Sequence, residues 1–147
     1  MSHKRPISVL VVIHTADLDV LLLERALSSG YWQSVTGSQE EGETLIETAR
    51  REVAEETGIA VPVERIVDWR ISRVFEILPQ WRFRYAPGVT RNTEHVFSLE
   101  LPQKRAVCLA PGEHLDYLWL PWKEAAAKCF SWTNRDAILM LPARRAR

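Results

Sequence analysis

A chain of 147 residues fits one domain and can bury a core without disulfide or metal staples. Its 46% apolar and 26% charged residues exclude extensive disorder, and 6 glycines and 8 prolines without period exclude low-complexity classes. Lys plus Arg number 19, as do Asp plus Glu, so the net charge is zero and a chain that coats nucleic acid or an anionic membrane is not expected.

Ile7 to Ile13 is the early apolar run. It is far shorter than the ~20 residues that span a bilayer. Lys4 and Arg5 precede it, but no small-residue cleavage site follows and Asp17 and Asp19 interrupt, so it reads as a buried strand of a cytoplasmic protein. The β-branched content of Ile7 to His14 suits a strand covered on both faces. Val20 to Arg25 is a second strand, placed for a hairpin with the first, and Tyr31 to Val35 is short and extended. Thr44 with Glu47 forms a capping box, Leu45, Ile46, Ala49 and Val53 an apolar stripe, and Gly58 a stop; together they predict a helix over Leu45 to Thr57. Val63 to Ile77 is a long strand region, broken once. A polar, aromatic and basic stretch, Trp81 to Asn92, turns at Pro87-Gly88. Strands are expected over Glu94 to Leu101 and Leu115 to Leu120, and helices over Trp122 to Lys128 and Trp132 to Leu141. Pro142 should end the last helix, leaving residues 143–147 as a frayed basic tail of one domain over 1–147. Strands both alternate with helices and run together, as in a mixed sheet with helices on both faces. Cys108 and Cys129 lie outside any CxxC pattern, so a reduced pair is expected and structural zinc is not.

The chemistry concentrates in Gly37 to Ile59, GSQEEGETLIETARREVAEETGI. Glu52, Glu55 and Glu56 stand at i, i+3 and i+4 and share one helix face. Like charges at that spacing repel by a few tenths of a kcal/mol per pair. A solvated acidic face is the ordinary fate of such a run. Hard oxygen ligands on one face also suit Mg²⁺ or Mn²⁺. The spacing favours the second reading. Gly37, Glu43, Arg51-Glu52-Val53, Glu55-Glu56 and Gly58-Ile59 fill every position of G-x5-E-x7-R-E-U-x-E-E-x-G-U, with U aliphatic. A chance match is on the order of 10⁻⁹ per window.

On these residues the chain resembles the Nudix hydrolase family. The resemblance implies an α/β fold, the Nudix α/β/α sandwich with a mixed β-sheet, and Mg²⁺- or Mn²⁺-dependent hydrolysis of a phosphoanhydride. It makes Glu52, Glu55 and Glu56 catalytic carboxylates, with Glu52 and Glu56 as metal ligands. It assigns structural support to Gly37, Glu43 and Arg51: the ion pair steadies loop and helix, and the glycine lets the backbone turn near phosphate. The chemistry agrees, because phosphoanhydride hydrolysis needs charge neutralised on the substrate oxygens and a water activated.

Four further segments resemble a bacterial branch of that family acting on a pterin triphosphate. They are Trp32 to Ser38, Arg84 to Glu94, Glu113-His114-Leu115 with Tyr117 and Trp119, and Ser131-Trp132 with Asn134-Arg135. This likeness runs from Lys4 to about Ile138. It implies release of pyrophosphate from 7,8-dihydroneopterin triphosphate in folate biosynthesis. It adds Glu113 as a metal ligand or base, with His114 as a competing base. It adds Lys4, Arg25, Thr36, Phe75, Glu76, Ile77, Leu78 and Ser131 as substrate-binding residues. Glu76 becomes the reader of the ring edge, since a carboxylate accepts two parallel hydrogen bonds from adjacent N–H and amino groups. Arg82, Arg84 and Arg91 form a candidate triphosphate cradle, because guanidinium forks match phosphate oxygens. The competing readings are a nucleoside triphosphate pyrophosphohydrolase acting on ordinary or oxidised dGTP or dATP, and a ligand-sensing or RNA-binding module without catalysis; an intact box disfavours the latter. The partner expected is a small-molecule triphosphate. The sequence leaves the oligomeric state open.

Overall fold

The apolar run that opens the chain becomes the central strand. A computed structural model describes residues 3–145. Strand β1 (Ile7–Thr15) is buried at every position after Ile7. It pairs in parallel with β6 (Arg91–Leu101), from Ile7 opposite Thr93 to Thr15 opposite Leu101. The other pairings between these strands are antiparallel: β2 (Asp19–Arg25) and β4 (Val35–Ser38) on β1, β3 (Trp32–Gln33) and β7 (His114–Pro121) on β2, and β5 (Ile66–Glu76) on β6. These seven strands make one mixed sheet whose main path runs β3-β2-β1-β6-β5.

Side-chain alternation along β1 sorts two cores. Val9, Val11 and Ile13 join Phe97 and Leu99 under α1 (Leu45–Thr57), through Ala49 and Val53. Leu10 and Val12 join Val96 and Trp69 on the other face. There α2 (Trp122–Lys128) brings Ala125 and Ala126, and α3 (Trp132–Arg145) brings Ala137, Ile138 and Leu141. Each fully buried branched side chain contributes about 1.5–3 kcal/mol, so both helical layers are held chiefly by burial on β1 and its neighbours. The result is the expected α/β/α sandwich.

Helix α1 keeps its predicted bounds. Thr44 Oγ1 accepts from the Glu47 N–H, the Glu47 carboxylate accepts from the Thr44 N–H, and Gly58 closes the helix with φ 76°. Elsewhere the structure departs from the expected pattern. The anticipated β1–β2 hairpin is reduced to His14 opposite Val20, because β4 occupies β1 from Ser8 to Val11 and β3 takes the same edge of β2 at Leu23 and Glu24. The break expected within residues 63–77 is real: a single 3₁₀ turn (Val63–Arg65) precedes β5, and the register with β6 shifts between Asp68 and Ser72. Arg70 takes φ 56° at that bulge, its N–H held by Asp68 Oδ1 at 2.8 Å. The basic stretch holds a 3₁₀ turn over Pro79–Arg84, and β6 starts three residues earlier than predicted.

The last helix runs through Pro142 to Arg145, which corrects the expectation of a stop at Leu141 and a frayed tail over 143–145. Pro142 removes one N–H donor, but the next turn is anchored from outside. Arg144 donates to the Trp69 carbonyl at 3.2 Å with its guanidinium over the Trp69 ring, and Arg145 pairs with Glu100 at 3.4 Å. Ala146 and Arg147 lie outside the described residues. No helix among the described residues is long and apolar enough to cross a membrane.

Candidate active site

The acidic helix is locked to the loop before it by one guanidinium. Arg51 donates from Nε to Glu43 Oε2 at 2.6 Å and from Nη2 to Glu43 Oε1 at 3.0 Å. Its Nη2 also reaches the Ser38 carbonyl at 3.0 Å, at the end of β4. The Arg51 hydrogen bonds hold the Glu43 carboxyl down at about 2. Arg51 Nη1 reaches Glu55 at 3.0 Å as well, so Glu55 is engaged on the exposed side. Beneath this fork Glu52 turns inward against Gly37. A side chain at position 37 would collide with the Glu52 carboxylate, so the glycine is the seat of that acid. Burial, then a hydrogen bond with Glu55, pushes the Glu52 carboxyl up to about 8.

Glu56 lies deepest, only 4% exposed, and its Oε1 has no hydrogen-bond partner. Burial, then repulsion from Glu52 and Glu113, raises its pKa well above the ordinary carboxylate range. His114 Nε2 stands 3.7 Å from Glu56 Oε1. Burial, with Arg25 nearby, lowers the His114 ring to about 4. The ring is therefore neutral at pH 7, and the contact is no ion pair. Glu113 is exposed on the adjoining loop, its carbonyl accepting from the Ala26 N–H at 2.9 Å.

Among the described residues no three His, Cys, Asp or Glu side chains converge closely enough to form a metal cage. A Mg²⁺-like ion does not require one, since it is commonly held by one or two carboxylates, substrate phosphate oxygens and waters. The donor set fits such an ion. Glu56 carries an orphaned buried oxygen, Glu52 lies one turn before it on the same helix face, and burial pushes both toward protonation even with Arg51 3.5 Å from Glu52.

These acids form one wall of a groove of about 700 Å³, and the groove continues into a smaller chamber of about 210 Å³. Lys4, Arg25, Thr36 and Arg84 line both spaces and make a collar between them. The collar cations are pre-placed. Arg25 stacks on the Trp81 ring with 4.3 Å to the centroid, and its Nη1 donates to Gln33 Oε1 at 3.3 Å. Its buried Nε has no partner. Lys4 is tied through its own N–H to the Arg84 carbonyl at 2.8 Å. It keeps solvent contact, yet crowding by the cleft, then repulsion from Arg84 and Arg25, lowers its pKa.

The inner chamber opens at one end of the sheet, where the strand registers bring Ser8 beside Glu94 and Phe75 beside Asn92. Phe75, Ile77, Leu78 and Trp132 give it apolar surface. Asn134 on α3 clasps Ser34 twice, at 2.7 Å to its N–H and 3.0 Å to its hydroxyl, which fixes the helix over the chamber. Ser131 lines the chamber with its hydroxyl 2.8 Å from that of Thr133.

The predicted residues therefore gather in one cleft, but not in equal positions. Glu52, Glu56, Glu113 and Thr36 lie along the groove, and Phe75, Ile77, Leu78 and Ser131 line the chamber. Glu76 stands at the chamber rim, its side chain 70% exposed and 3.9 Å from Arg82. Of the three-arginine cradle, Arg84 faces the collar. Arg82 instead donates to the Ile77 carbonyl at 2.9 Å, and Arg91 is exposed at the start of β6. Sequence reasoning missed Gln33, Asn92 and Glu94 as lining residues. The alternation Asn92, Glu94, Val96 along β6 was the available signal, since it puts two polar residues on a core-facing strand side.

The chain belongs to the Nudix family: it matches the NUDIX domain over residues 4–141. Nudix hydrolases depend on a divalent metal. The chain is 50% identical over 139 residues to the dihydroneopterin triphosphate diphosphatase of Escherichia coli K12, covering 92% of this chain and 91% of that protein. It is 40% identical over 141 residues to the enzyme of the same name from Haemophilus influenzae, covering 94% and 88%. The solved structure of the E. coli dihydroneopterin triphosphate pyrophosphohydrolase superposes with a TM-score of 0.88 at 50% identity, covering 94% and 95%.

Proposed function

We propose that this protein hydrolyses 7,8-dihydroneopterin triphosphate to the monophosphate and pyrophosphate, with Mg²⁺, or Mn²⁺ in its place, as cofactor. The observation that carries the reading is the order of surfaces along the cleft: an apolar chamber, a collar of three cations, then a wall of carboxylates with Glu56 deepest. A flat ring, a polyphosphate and a divalent cation follow one another in that order. Two relatives at 50% and 40% identity bear the name of this activity.

In this reading the ring enters the chamber against Phe75, Ile77 and Leu78, with Thr36 and Ser131 offering hydroxyls. Lys4, Arg25 and Arg84 bind and orient the phosphates, since guanidinium forks and an ammonium stem suit phosphate oxygens. Glu52 and Glu56, with Glu113 from the adjoining loop, would hold the metal. Bound there, the metal would neutralise phosphate charge and activate water for attack on phosphorus. Gly37 gives Glu52 its seat, and the Glu43–Arg51 fork keeps α1 aimed. Glu55 keeps Arg51 on the outer side of the helix. Glu113 is the exposed carboxylate able to take a proton from water and pass it to solvent, and neutral His114 beside Glu56 is an alternative acceptor. The reading puts the enzyme in folate biosynthesis and in the cytoplasm, where free Cys108 and Cys129 thiols stay reduced.

Guanine presents the same ring edge as pterin, so dGTP and oxidised dGTP form the second substrate class. A panel of dihydroneopterin triphosphate, dGTP, dATP and oxidised dGTP, assayed with Mg²⁺ or Mn²⁺ and again in EDTA, tests the proposal. The expected result is metal-dependent pyrophosphate release with the highest kcat/KM for the pterin. A higher kcat/KM for any nucleotide would overturn the pterin assignment and leave the hydrolase chemistry standing.

A further inference from the structure

At the inner end of the chamber stands an acid that the catalytic reading does not use. Glu94 lies on β6, beside Ser8 of β1 and opposite Arg73 of β5. It is 5% exposed, and its Oε1 has no hydrogen-bond partner. Arg73 does not pair with it: that guanidinium turns away to the Ser72 carbonyl at 3.2 Å and the Met140 sulfur at 3.9 Å. The Thr133 hydroxyl is the neighbouring polar group that favours its charged form. Two residues earlier, Asn92 donates from Nδ2 to the Ser8 hydroxyl at 2.7 Å, which leaves its Oδ1 buried and unpaired. Two orphaned acceptors thus share one face of β6, and both residues line the chamber.

Buried acceptors without donors are rare, and each needs a reason. Here the surroundings supply one. Phe75, in register with Asn92, and the Ile77 and Leu78 side chains are apolar surfaces suited to the face of a flat ring. The acceptors then meet its edge. Glu76 cannot do this equally well, because strand alternation turns it away from Phe75 toward solvent and Arg82.

We propose that Glu94 is the specificity-determining acceptor of the chamber. Its carboxylate, assisted by Asn92 Oδ1, accepts hydrogen bonds from the adjacent ring N–H and exocyclic amino group shared by pterin and guanine. The proposal rests on the functional reading above for the direction in which substrate enters. It assigns ring recognition to β6 and leaves Glu76 at the rim.

The test uses dGTP and dITP, which differ only in the 2-amino group, together with binding of dihydroneopterin triphosphate in EDTA, where nothing turns over. The intact enzyme should favour dGTP over dITP by at least ~10-fold in kcat/KM, because a buried acceptor left unpaired penalises the analogue without the donor. Glu94→Gln should bring that ratio near one through KM, with kcat kept within about three-fold, and weaken pterin triphosphate binding in EDTA by at least ~10-fold. Glu94→Asp, which withdraws the carboxylate by one methylene, is read in the same way where the glutamine variant does not fold. An enzyme indifferent to the 2-amino group overturns the proposal without any variant. A variant that keeps the original ratio and affinity overturns it too, as does an equal loss of kcat on both nucleotides. An intact enzyme that hydrolyses no triphosphate would sink the functional reading, while the EDTA arm would still decide the role of Glu94.

Discussion

The carboxylate of Glu52 rests directly on the α-carbon of Gly37. The two residues come from different elements, β4 and α1, and the acid fills the space that a Cβ would occupy. Gly37 is not among the residues with positive φ, so it is required by space and not by backbone angle. Gly37→Ala should therefore displace Glu52 while leaving the sheet intact. We expect kcat to fall by at least ~10²-fold, the scale of an ångström-size misplacement at a reacting centre. The melting temperature should change by only a few degrees. Glu52→Gln should show a similar loss, and the double variant little more than either alone. Wild-type turnover in Gly37→Ala would show that the acid's position is not what the glycine protects.

The Glu43–Arg51 fork makes a pH-dependent contribution with a definite sign. Glu43 is held at about 2 by Arg51, below the ordinary carboxylate value near 4.5. A depressed carboxylate stabilises the fold above its unfolded pKa, and that stability is lost as pH falls from about 4.5 toward 2. The pair lies near the surface, so solvent screening reduces its worth to about 1–2 kcal/mol. Urea unfolding of Glu43→Gln should show that deficit at pH 7 and a shrinking one below pH 4. A deficit of constant size across this range would point to packing instead of charge.

The local signals in the sequence were strong where one short segment held all the information. The capping box at Thr44 and Glu47 and the Gly58 stop fixed both ends of α1, because helix termini are decided by side chains within one turn. The spacing of Gly37, Glu43 and Arg51 likewise marked the acid wall. Long-range pairing was less legible. Nothing near Val20 announces that its strand will pair with residues a hundred positions later in β7. Pro142 read as a stop because its local preference is clear, whereas the Trp69 and Glu100 contacts that carry the helix onward come from distant strands. The chamber acids were hidden for the same reason. Glu94 is an unremarkable strand glutamate until β1, β5 and α3 close around it.

Arg25 joins the two spaces of the cleft, and its geometry separates charge from shape. The guanidinium carbon sits over Trp81 at 4.3 Å from the ring centroid, Nη1 bonds Gln33, and Nε is free of partners. Lysine would keep the charge but lose the stacking plane and the fork. Arg25→Lys should raise KM for a triphosphate by roughly 10-fold with kcat falling less, and Arg25→Ala should raise KM further, the scale of losing one or two charged hydrogen bonds. Steady-state kinetics at saturating metal distinguish the cases. Equal KM in the lysine variant and the intact enzyme would reduce the role of Arg25 to charge alone.

Glu94 should cost the fold stability at the pH where the enzyme works. Burial lifts its carboxyl to about 7, with the Thr133 hydroxyl opposing. In the unfolded chain the group titrates near the ordinary glutamate value, about 4.3. Between these values the folded state holds the extra proton, so the contribution of Glu94 is fully present below about 4.3 and is lost as pH rises through 7. The whole span is worth about 4 kcal/mol. Glutamine resembles the neutral acid and carries no such penalty. Glu94→Gln should therefore gain on the wild type by about 2–3 kcal/mol between pH 5 and pH 8, as read by urea unfolding at each pH. Parallel stability curves would mean that the carboxylate is solvated in the folded protein, which would remove the orphaned acceptor on which ring recognition depends. A gain confined to the higher pH would mean that the fold keeps a carboxylate where an amide is more stable, the pattern expected of a residue retained for binding.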